Sequence, residues 1–385
     1  LYCADLTDRS HITLRGLTLF AGTITTSSFS EGVTLDRLKA SYLSHSVTLP
    51  PLPPSAQAVG TDQFWVLASR AHHSGIQLRG RGHILQNSTL LGSAGNAVLL
   101  EGSEHVVTNN LIQDTAYIGS YAAPIRLNGS GHRVVANTIV GAGRDSITAD
   151  WHTCGSSLPD VRIAYNDISG FGALNNDLGG IYLAANLDLT NTQIDHNNIH
   201  DPYGFSFFWD AAGIYTDVSS YNATVNHNLI WRMEVNKPAG LKISQRSGAD
   251  VQERIYHNTS LTANYLPNEN ASIINNLLVG DSTLPSTAVA SNNLSAATNP
   301  LFASPDFADF TLQGSSPAID VGLVLPGFND DFTGAAPDLG AFERGRPAWR
   351  AGSAVAAGSF SLYDASSPAA QQFIDGRPYE MGTRF

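Results

Sequence analysis

The stretch Ile194-Asp195-His196-Asn197-Asn198-Ile199 recurs along the chain as Val225-Asn226-His227-Asn228-Leu229-Ile230. Each copy has an aliphatic residue, two variable residues, Asn, one variable residue and a second aliphatic residue. Further copies have their Asn at positions 110, 137, 166, 258 and 276, so successive Asn positions differ by 27, 29, 31, 31, 30 and 18 residues. A period of about 30 residues predicts a solenoid with one coil of chain per repeat.

A second short strand is predicted after each copy, at 97–100, 124–127, 146–148, 180–183, 213–216 and 240–243. These runs alternate between polar and apolar residues and are bounded by Gly, Asn and Asp, which excludes a helical solenoid. Stacked coils pair their strands in parallel about 4.8 Å apart. The sequence therefore predicts an all-β fold, a right-handed parallel β-helix, in which the repeated Asn forms a structural ladder at a turn.

The coils are predicted to occupy residues 1–299, with a loop insertion near 34–62 that contains the extended run Leu49-Pro-Pro-Leu-Pro-Pro54. Leu85-x-x-Ser88-x-Leu90 is interpreted as an earlier copy in which Ser replaces Asn. The pattern stops after Asn299, and residues 300–385 are predicted to cap the open end of the solenoid.

Composition limits the classes of function. The chain has 385 residues, 42% hydrophobic content and a formal net charge of −12, which indicate a folded protein that does not bind nucleic acid. No apolar run of 18 or more residues occurs, so no membrane span is predicted. A neutral carbohydrate fits this charge balance better than an anionic partner.

Secretion is expected, because six Asn-x-Ser/Thr sites occur, at Asn87, Asn128, Asn222, Asn258, Asn270 and Asn293. The chain begins at Leu1 without Met, and we expect residues upstream of it. Cys3 and Cys154 are compatible with one disulfide or with two thiols.

The second strands can be aligned on the glycines at positions 180, 213 and 240. Three residues before these glycines stand Asp177, Asp210 and Lys237. On one ladder, neighbouring members would lie roughly 5 Å apart, which is near the carboxylate spacing of a retaining glycosidase. One carboxyl group of such a pair would have a raised pKa and act as an acid.

Outward positions on the same strands are expected to form a sugar-binding groove, because sugar rings stack on aromatic side chains and their hydroxyls bind charged ones. Two residues after each aligned position are Arg126, Thr148, Tyr182, Tyr215 and Lys242, and four residues after it are Asp150 and Asp217. Trp151, His152 and Trp209 are added to this face. A structural alternative is that Tyr182 and Tyr215 simply stack as a cross-strand pair.

The histidines receive different interpretations. His196, His227 and His257 precede the ladder Asn in register and are predicted to belong to the turn. His200 and Asp201 are either a functional pair that binds substrate or a turn that ends a coil. No acidic loop with calcium spacing is present, so neither a metal nor another cofactor is predicted.

Several of these motifs resemble those of a known superfamily. Ser316-Pro-Ala-Ile-Asp320 and Pro337-Asp-Leu-Gly-Ala-Phe-Glu343 are similar to a C-terminal signature of secreted β-helix enzymes in the pectate-lyase-like superfamily. Asp177-Leu-Gly-Gly-Ile-Tyr182, Asn198-Ile-His-Asp201 and Gly213-Ile-Tyr-Thr-Asp217 resemble β-helical glycoside hydrolases with fucosidase or xylanase activity. The spacing of Asp210 and Asp217 is also similar to the aspartate pair of β-helical lacto-N-biosidases.

The resemblance implies hydrolysis of a glycosidic bond in an oligo- or polysaccharide, with Asp217 and Asp177 as acid and nucleophile or base, and Asp210 completing the site. One alternative is a polysaccharide lyase or uronate epimerase, with Lys242 or Lys237 as base and Arg126 or Arg246 neutralising the uronate. Another is a non-catalytic β-helix that only binds carbohydrate. The signatures of polygalacturonases, pectate lyases and alginate lyases do not occur in the sequence.

Overall fold

The computed structural model describes residues 2–44, 75–117, 121–150, 157–175, 177–184, 186–203, 211–235, 238–244, 252–267, 269–280, 282, 289–296 and 300–355. These residues form three parallel sheets and one small antiparallel hairpin, with no α-helix among them. The chain visits sheets A, B and C in turn, which makes a right-handed parallel β-helix. The predicted fold class is confirmed.

Sheet A has nine strands, numbered along the chain: β1 (Tyr2–Leu6), β4 (Thr23–Thr26), β7 (Ile76–Arg81), β10 (Val98–Ser103), β13 (Ile125–Ser130), β16 (Ile147–Ala149), β19 (Leu178–Ala184), β22 (Ala211–Asp217) and β25 (Pro238–Ile243). Sheet B has eleven: β2 (Thr13–Arg15), β5 (Thr34–Asp36), β8 (Ile84–Gln86), β11 (Val106–Thr108), β14 (Arg133–Val135), β17 (Arg162–Ala164), β20 (Gln193–Asp195), β23 (Thr224–Asn226), β26 (Glu253–Tyr256), β28 (Ala271–Ile274) and β30 (Val289–Ser291). Sheet C also has eleven: β3 (Thr18–Phe20), β6 (Lys39–Ser41), β9 (Thr89–Ser93), β12 (Leu111–Thr115), β15 (Thr138–Ala142), β18 (Asp167–Ser169), β21 (Asn198–His200), β24 (Leu229–Trp231), β27 (Thr259–Ser260), β29 (Leu277–Val279) and β31 (Leu294–Ala296).

The core lies inside the coils, where aliphatic residues stack in rows. One row on sheet B is fully buried and consists of Leu85, Val107, Val134, Ile163, Ile194, Val225, Ile255 and Ile273. Burial of each such side chain contributes roughly 1.5–3 kcal/mol. The aligned glycines are required by this packing, because a Cβ added at Gly213 would lie 2.7 Å from Cγ2 of Ile230. These glycines therefore let sheet A pass close to sheet C.

The Asn ladder lies at the turn between sheets B and C. In each coil, Asn Nδ2 donates to Oδ1 of the next ladder Asn, as Asn197 does to Asn228 at 2.9 Å, and also to a backbone carbonyl of the preceding coil. Ser88 begins the ladder, since its amide donates to Oδ1 of Asn110, which confirms the degenerate copy. The ladder extends beyond Asn276 to Asn293. Asn258 is fully buried within it, so that glycosylation sequence is structural.

A second ladder, which the sequence analysis missed, lies between sheets A and B. His83, His105 and His132 stack with ring centroids 4.9 and 5.0 Å apart. Nδ1 of His105 accepts the amide of His83, and Nδ1 of His132 accepts the amide of His105. Burial lowers the pKa of His105 to about 3, so these imidazoles are neutral.

The loop insertion begins later than predicted. Residues 34–36 and 39–41 form the regular strands β5 and β6, because Leu35 and Ala40 continue the buried rows of sheets B and C. The regular coil therefore persists to residue 44, and residues 45–62 of the predicted insertion lie outside the described residues.

Residues 300–385 were predicted to cap an open end. Residues 356–385 lie outside the described residues, and we call residues 300–355 the strap. It instead runs back along the side of the β-helix. It begins with a hairpin of β32 (Phe302–Ser304) and β33 (Asp309–Leu312), which are joined by a 3-10 turn at Pro305–Phe307. Phe302 and Phe310 of this hairpin pack on sheet C beside Trp231. Farther on, the Gly352 amide donates to the carbonyl of Tyr165 and the Ala354 amide to Oδ1 of Asn109. The strap covers apolar side chains on the outside of sheet C, which is the physical reason for its path.

The signature residues of the strap hold its turns. Asp338 accepts the backbone amides of Asp320 and Arg344, and Glu343 accepts those of Thr333 and Asp338. The motifs that carry the family resemblance in this segment are therefore structural.

Candidate active site on the outer face of sheet A

One row of outward-facing residues crosses sheet A in successive coils. Strand pairing places Arg126 beside Thr148, Thr148 beside Tyr182, Tyr182 beside Tyr215, and Tyr215 beside Lys242. The alignment on glycine thus predicted the register correctly. We call these residues, together with Tyr265 in the next coil, the outward row.

Asp217 ends β22 at the edge of this face and is held through both carboxylate oxygens. The Tyr182 hydroxyl donates to Oδ2 at 2.9 Å, and the Val218 amide donates to Oδ1 at 2.7 Å. Burial raises the pKa of Tyr182, so its hydroxyl stays protonated and acts as the donor. The ring of Tyr182 also packs edge-on against Tyr215, with centroids 5.2 Å apart. The cross-strand stacking expected from sequence is present, together with a polar contact to an aspartate.

Arg144 lies under this face and was not singled out from the sequence. Its guanidinium is 4.0 Å from the ring centroid of Tyr121 and 4.8 Å from that of Tyr182. It donates to Oδ2 of Asp145 at 2.5 Å and to the backbone carbonyl of Asp177. Burial raises the pKa of Asp145 to about 6, and the neighbouring Arg144 opposes that shift. Its place in the sequence could have identified it, because Arg144 and Asp145 directly precede the predicted strand at 146–148.

Asp177 and Asp217 stand at opposite ends of paired strands. Asp177 precedes β19 with a φ of 54°, whereas Asp217 pairs with Ala184 at the other end of that strand. Contacts connect the two ends, since Arg144 holds the Asp177 carbonyl and lies against the ring of Tyr182, which donates to Asp217. The offset of seven strand positions means that the 5 Å spacing of one ladder does not apply to this pair.

Arg126 and Asp150 form a buried ion pair. Nη2 of Arg126 is 2.6 Å from Oδ1 of Asp150, Nη1 donates to the carbonyl of Tyr121, and both side chains are almost completely buried. The sequence predicted that both bind substrate. In the structure their charges compensate each other beneath the surface, as buried charges require.

The far end of the outward row is more open. The Lys242 ammonium lies 4.1 Å from the ring centroid of Tyr215, a cation–π contact. Tyr265 pairs with Lys242 by a parallel bridge and is 54% exposed. Tyr265 therefore extends the outward row by one coil. Sequence reasoning missed it because its coil is shortened and lacks an aligned glycine.

Other predicted site residues lie elsewhere or outside the description. Outside the described residues are Trp151, His152, Cys154, Trp209, Asp210, Lys237 and Arg246. Cys3 is exposed on β1 and its thiol is free.

His200 and Asp201 lie on sheet C, away from the outward row. His200 Nδ1 is 2.6 Å from Oδ2 of Asp201, and its Nε2 is 3.2 Å from Oδ1 of Asp167. Burial opposes protonation, but these two carboxylates together raise the pKa of His200. The ring stacks on Trp231, and Arg232 forms an ion pair with Asp201. The pair is thus part of a network beside the strap.

A second concavity lies between the strap and the turn that carries the Asn ladder. His196, His227 and His257 stack there, with centroids 4.9 and 4.7 Å apart, and line a cavity of about 250 Å³ with Trp349 and Phe342 of the strap. All three histidines have positive φ, which confirms their assignment to the turn. Within the described residues, no three His, Cys, Asp or Glu side chains converge as metal ligands. No described helix is long and apolar enough to span a membrane.

Comparison with known proteins gives structural likenesses. No protein-family model matches the chain, and no curated protein matches it. The crystal structure of the pectate lyase Pel9A is similar with a TM-score of 0.49 and 16% identity, over 87% of both chains. The structure of XylC in complex with xylose is similar with a TM-score of 0.38 and 16% identity, over 55% of this chain and 38% of that one. At 16% identity, both similarities concern the fold alone.

Proposed function

We propose that this protein is a carbohydrate-active enzyme that hydrolyses a glycosidic bond on the outer face of sheet A, with Asp217 as general base and Asp177 as general acid. The observation that carries the proposal is the double anchoring of Asp217 by the Tyr182 hydroxyl and the Val218 amide. An aspartate fixed in this way at the edge of an aromatic face is suited to act on a bound sugar.

The hydrogen bonds of Asp217 favour the role of base. Both of its oxygens accept a hydrogen bond, and accepting only is the behaviour of an ionised carboxylate. A proton donor would need at least one protonated oxygen. A carboxylate retains further lone pairs after two such bonds, so Asp217 can still accept the proton of an attacking water.

The position of Asp177 supports its role as the second carboxyl group. Arg144 holds the Asp177 carbonyl and lies against the ring of Tyr182, whose hydroxyl donates to Asp217. These contacts link the segments that carry the two aspartates. Retaining enzymes hold their carboxyl groups about 5 Å apart and inverting enzymes about 6.5–9.5 Å apart, so the configuration of the product reports the spacing of this pair.

The charges around the face support a neutral substrate. Arg126 is paired with Asp150 and Arg144 with Asp145, so neither guanidinium carries the uncompensated charge that would bind a uronate. The exposed ring of Tyr265 supplies a stacking surface, and the partly exposed Asp217 and Lys242 supply hydrogen-bonding groups for sugar hydroxyls.

A lyase is the second candidate, and Lys242 is the observation that favours it. Its side-chain nitrogen lies on the same face, one coil from Asp217, and as the neutral amine it would accept the proton removed from a uronate. In this alternative Lys242 would be essential and Asp217 would not.

The test is a cleavage assay on purified protein with neutral and uronate-containing glycans. Each reaction is followed by new reducing ends and by the ultraviolet absorbance of unsaturated products. Hydrolysis predicts reducing ends without absorbance and loss of activity in Asp217→Asn, and the anomer seen in early NMR spectra identifies a retaining or an inverting reaction. Unsaturated product, with loss of activity in Lys242→Ala instead, would establish the lyase. Binding without cleavage would leave only a carbohydrate-binding protein.

A further inference from the structure

The outward row is closed at one end and open at the other. Arg126 and Thr148 are fully buried, and Tyr182 and Tyr215 are 4% and 6% exposed. Lys242 is partly exposed, and Tyr265 is 54% exposed. Exposure thus rises steadily along the axis, beginning at the coil that precedes Tyr182.

Tyr265 faces the same side as the rest of the outward row. Its amide donates to the carbonyl of Leu241, and its carbonyl accepts the amide of Ile243, which places it directly beside Lys242. Its neighbours point inward, since Asn264 is buried and Leu266 packs on the core. An exposed aromatic ring held in register by a sheet is a rigid stacking surface.

Tyr265 is close enough to Asp217 to contact the same glycan. Coils are about 4.8 Å apart, and Tyr265 lies two coils beyond Tyr215, so the two positions are about 10 Å apart along the axis, roughly the length of two sugar units. The ammonium of the intervening Lys242 lies 4.1 Å from the ring centroid of Tyr215.

We propose that Tyr265 is a substrate-binding residue that stacks on a sugar about two units from the cleaved bond, and that the substrate is a neutral glycan chain lying along the helix axis. This inference rests on the proposed function of the same site. Because the row is closed at Arg126, sugars extend from the site only toward Tyr265, and the enzyme acts near a chain end.

The experiment compares Tyr265→Ala, Tyr265→Phe and the exposed control Tyr2→Ala on neutral oligosaccharides of increasing length, from the disaccharide upward. Both kcat/KM and, in the Asp217→Asn background, calorimetric Kd are measured. We expect Tyr265→Ala to lower kcat/KM roughly three- to tenfold on longer chains, as loss of one stacking contact implies, and to leave the shortest substrate unchanged. Tyr265→Phe and Tyr2→Ala should behave as wild type.

The outcomes separate this inference from the proposed function. The stacking role alone is overturned if kcat/KM depends on chain length in the same way in Tyr265→Ala and wild type. A loss of kcat/KM that is equal for every chain length has the same consequence. Binding that strengthens with length through Tyr265, without cleavage, supports the stacking role and overturns hydrolysis. Products released from the middle of long chains overturn the closed end at Arg126. If wild type binds none of the glycans, both proposals fail.

Discussion

The Asn ladder and the outward row both consist of polar residues repeated along the same axis, one residue per coil, yet they differ in what their polar atoms contact. Every Asn of the ladder bonds its neighbours and nearby backbone carbonyls. The outward row contains Arg, Thr, Tyr and Lys between Arg126 and Tyr265, and Arg126 and Tyr182 each bond an aspartate from another position.

The difference shows how repetition separates structure from function in a solenoid. A position that every coil fills with the same residue serves the stacking itself, because each coil presents the same backbone groups to it. A position that varies from coil to coil is free of that requirement. Chemistry can then be placed at one coil without disturbing the others.

The largest expected effect concerns the outward row. Asp217→Asn should lower kcat by about 10²–10⁴-fold while leaving the melting temperature unchanged, because the amide keeps the shape of the side chain but cannot accept a proton. Turnover per folded molecule is measured beside Asp306→Asn, an exposed aspartate in the strap that should remain fully active. Near-normal turnover in Asp217→Asn would remove it from the mechanism, and the same test applies to Asp177→Asn.

The ladder should respond in the opposite sense. Asn197→Ala removes the acceptor for the amide and Nδ2 of Asn166, and the donor to the carbonyls of Ile163 and Asp195. Buried groups left unpaired cost about 1–3 kcal/mol each, so the loss in unfolding free energy should be about 2–5 kcal/mol. Turnover per folded molecule should stay normal. Gln193→Ala, which alters an exposed amide of the same coil, should have almost no effect in the same denaturation experiment.

Sequence predicted the repetitive parts of the molecule well. The period of the Asn fixed the coils, and alignment on glycine fixed the register of Tyr182 beside Tyr215. Both predictions succeed because a solenoid imposes the same local environment in every coil. The strap was placed wrongly for the converse reason: it has no repeat, and its path depends on apolar side chains such as Trp231 that face outward from sheet C.

The site could be predicted only in part. Asp217 and Tyr182 were identified as neighbours of one face, but the bond between them depends on a diagonal reach of the Tyr182 hydroxyl that register alone does not reveal. Arg144 was missed because it stands in a turn, where no repeat determines the direction of a side chain. The burial of Arg126 depends likewise on the chain around Tyr121, whose carbonyl it contacts.

A smaller effect is expected for the contact that joins the outward row to Asp217. Tyr182→Phe keeps the ring against Tyr215 and removes only the hydroxyl. Hydrogen bonds to charged groups contribute about 1.5–3 kcal/mol, so kcat should fall roughly tenfold or more. KM should change little, since the hydroxyl touches the carboxylate and positions it. Steady-state kinetics beside Tyr2→Phe measures this split, and a rise in KM with constant kcat would instead make Tyr182 a substrate-binding residue.

The smallest effect concerns the turn between sheets A and B, at a position where one coil does not carry the residue of the histidine ladder. There Glu253 replaces the histidines of earlier coils and accepts the Ala223 amide at 3.0 Å through Oε2, while its Oε1 has no partner among the described residues. Burial raises the pKa of Glu253 to about 8, above its ordinary value of 4.5. A carboxyl group whose pKa is higher in the folded state contributes stability that is complete below pH 4.5 and is lost as the pH rises through 8. The substitution Glu253→Gln tests this pH dependence, because glutamine keeps an oxygen acceptor for the Ala223 amide but cannot ionise. The variant should therefore lose less stability than wild type between pH 4.5 and pH 8, because the folded wild type binds about one proton more than the unfolded chain in this range. Melting temperatures across this range, beside the exposed control Glu269→Gln, measure the difference, and parallel curves for wild type and Glu253→Gln would show that Glu253 is already ionised in the folded protein.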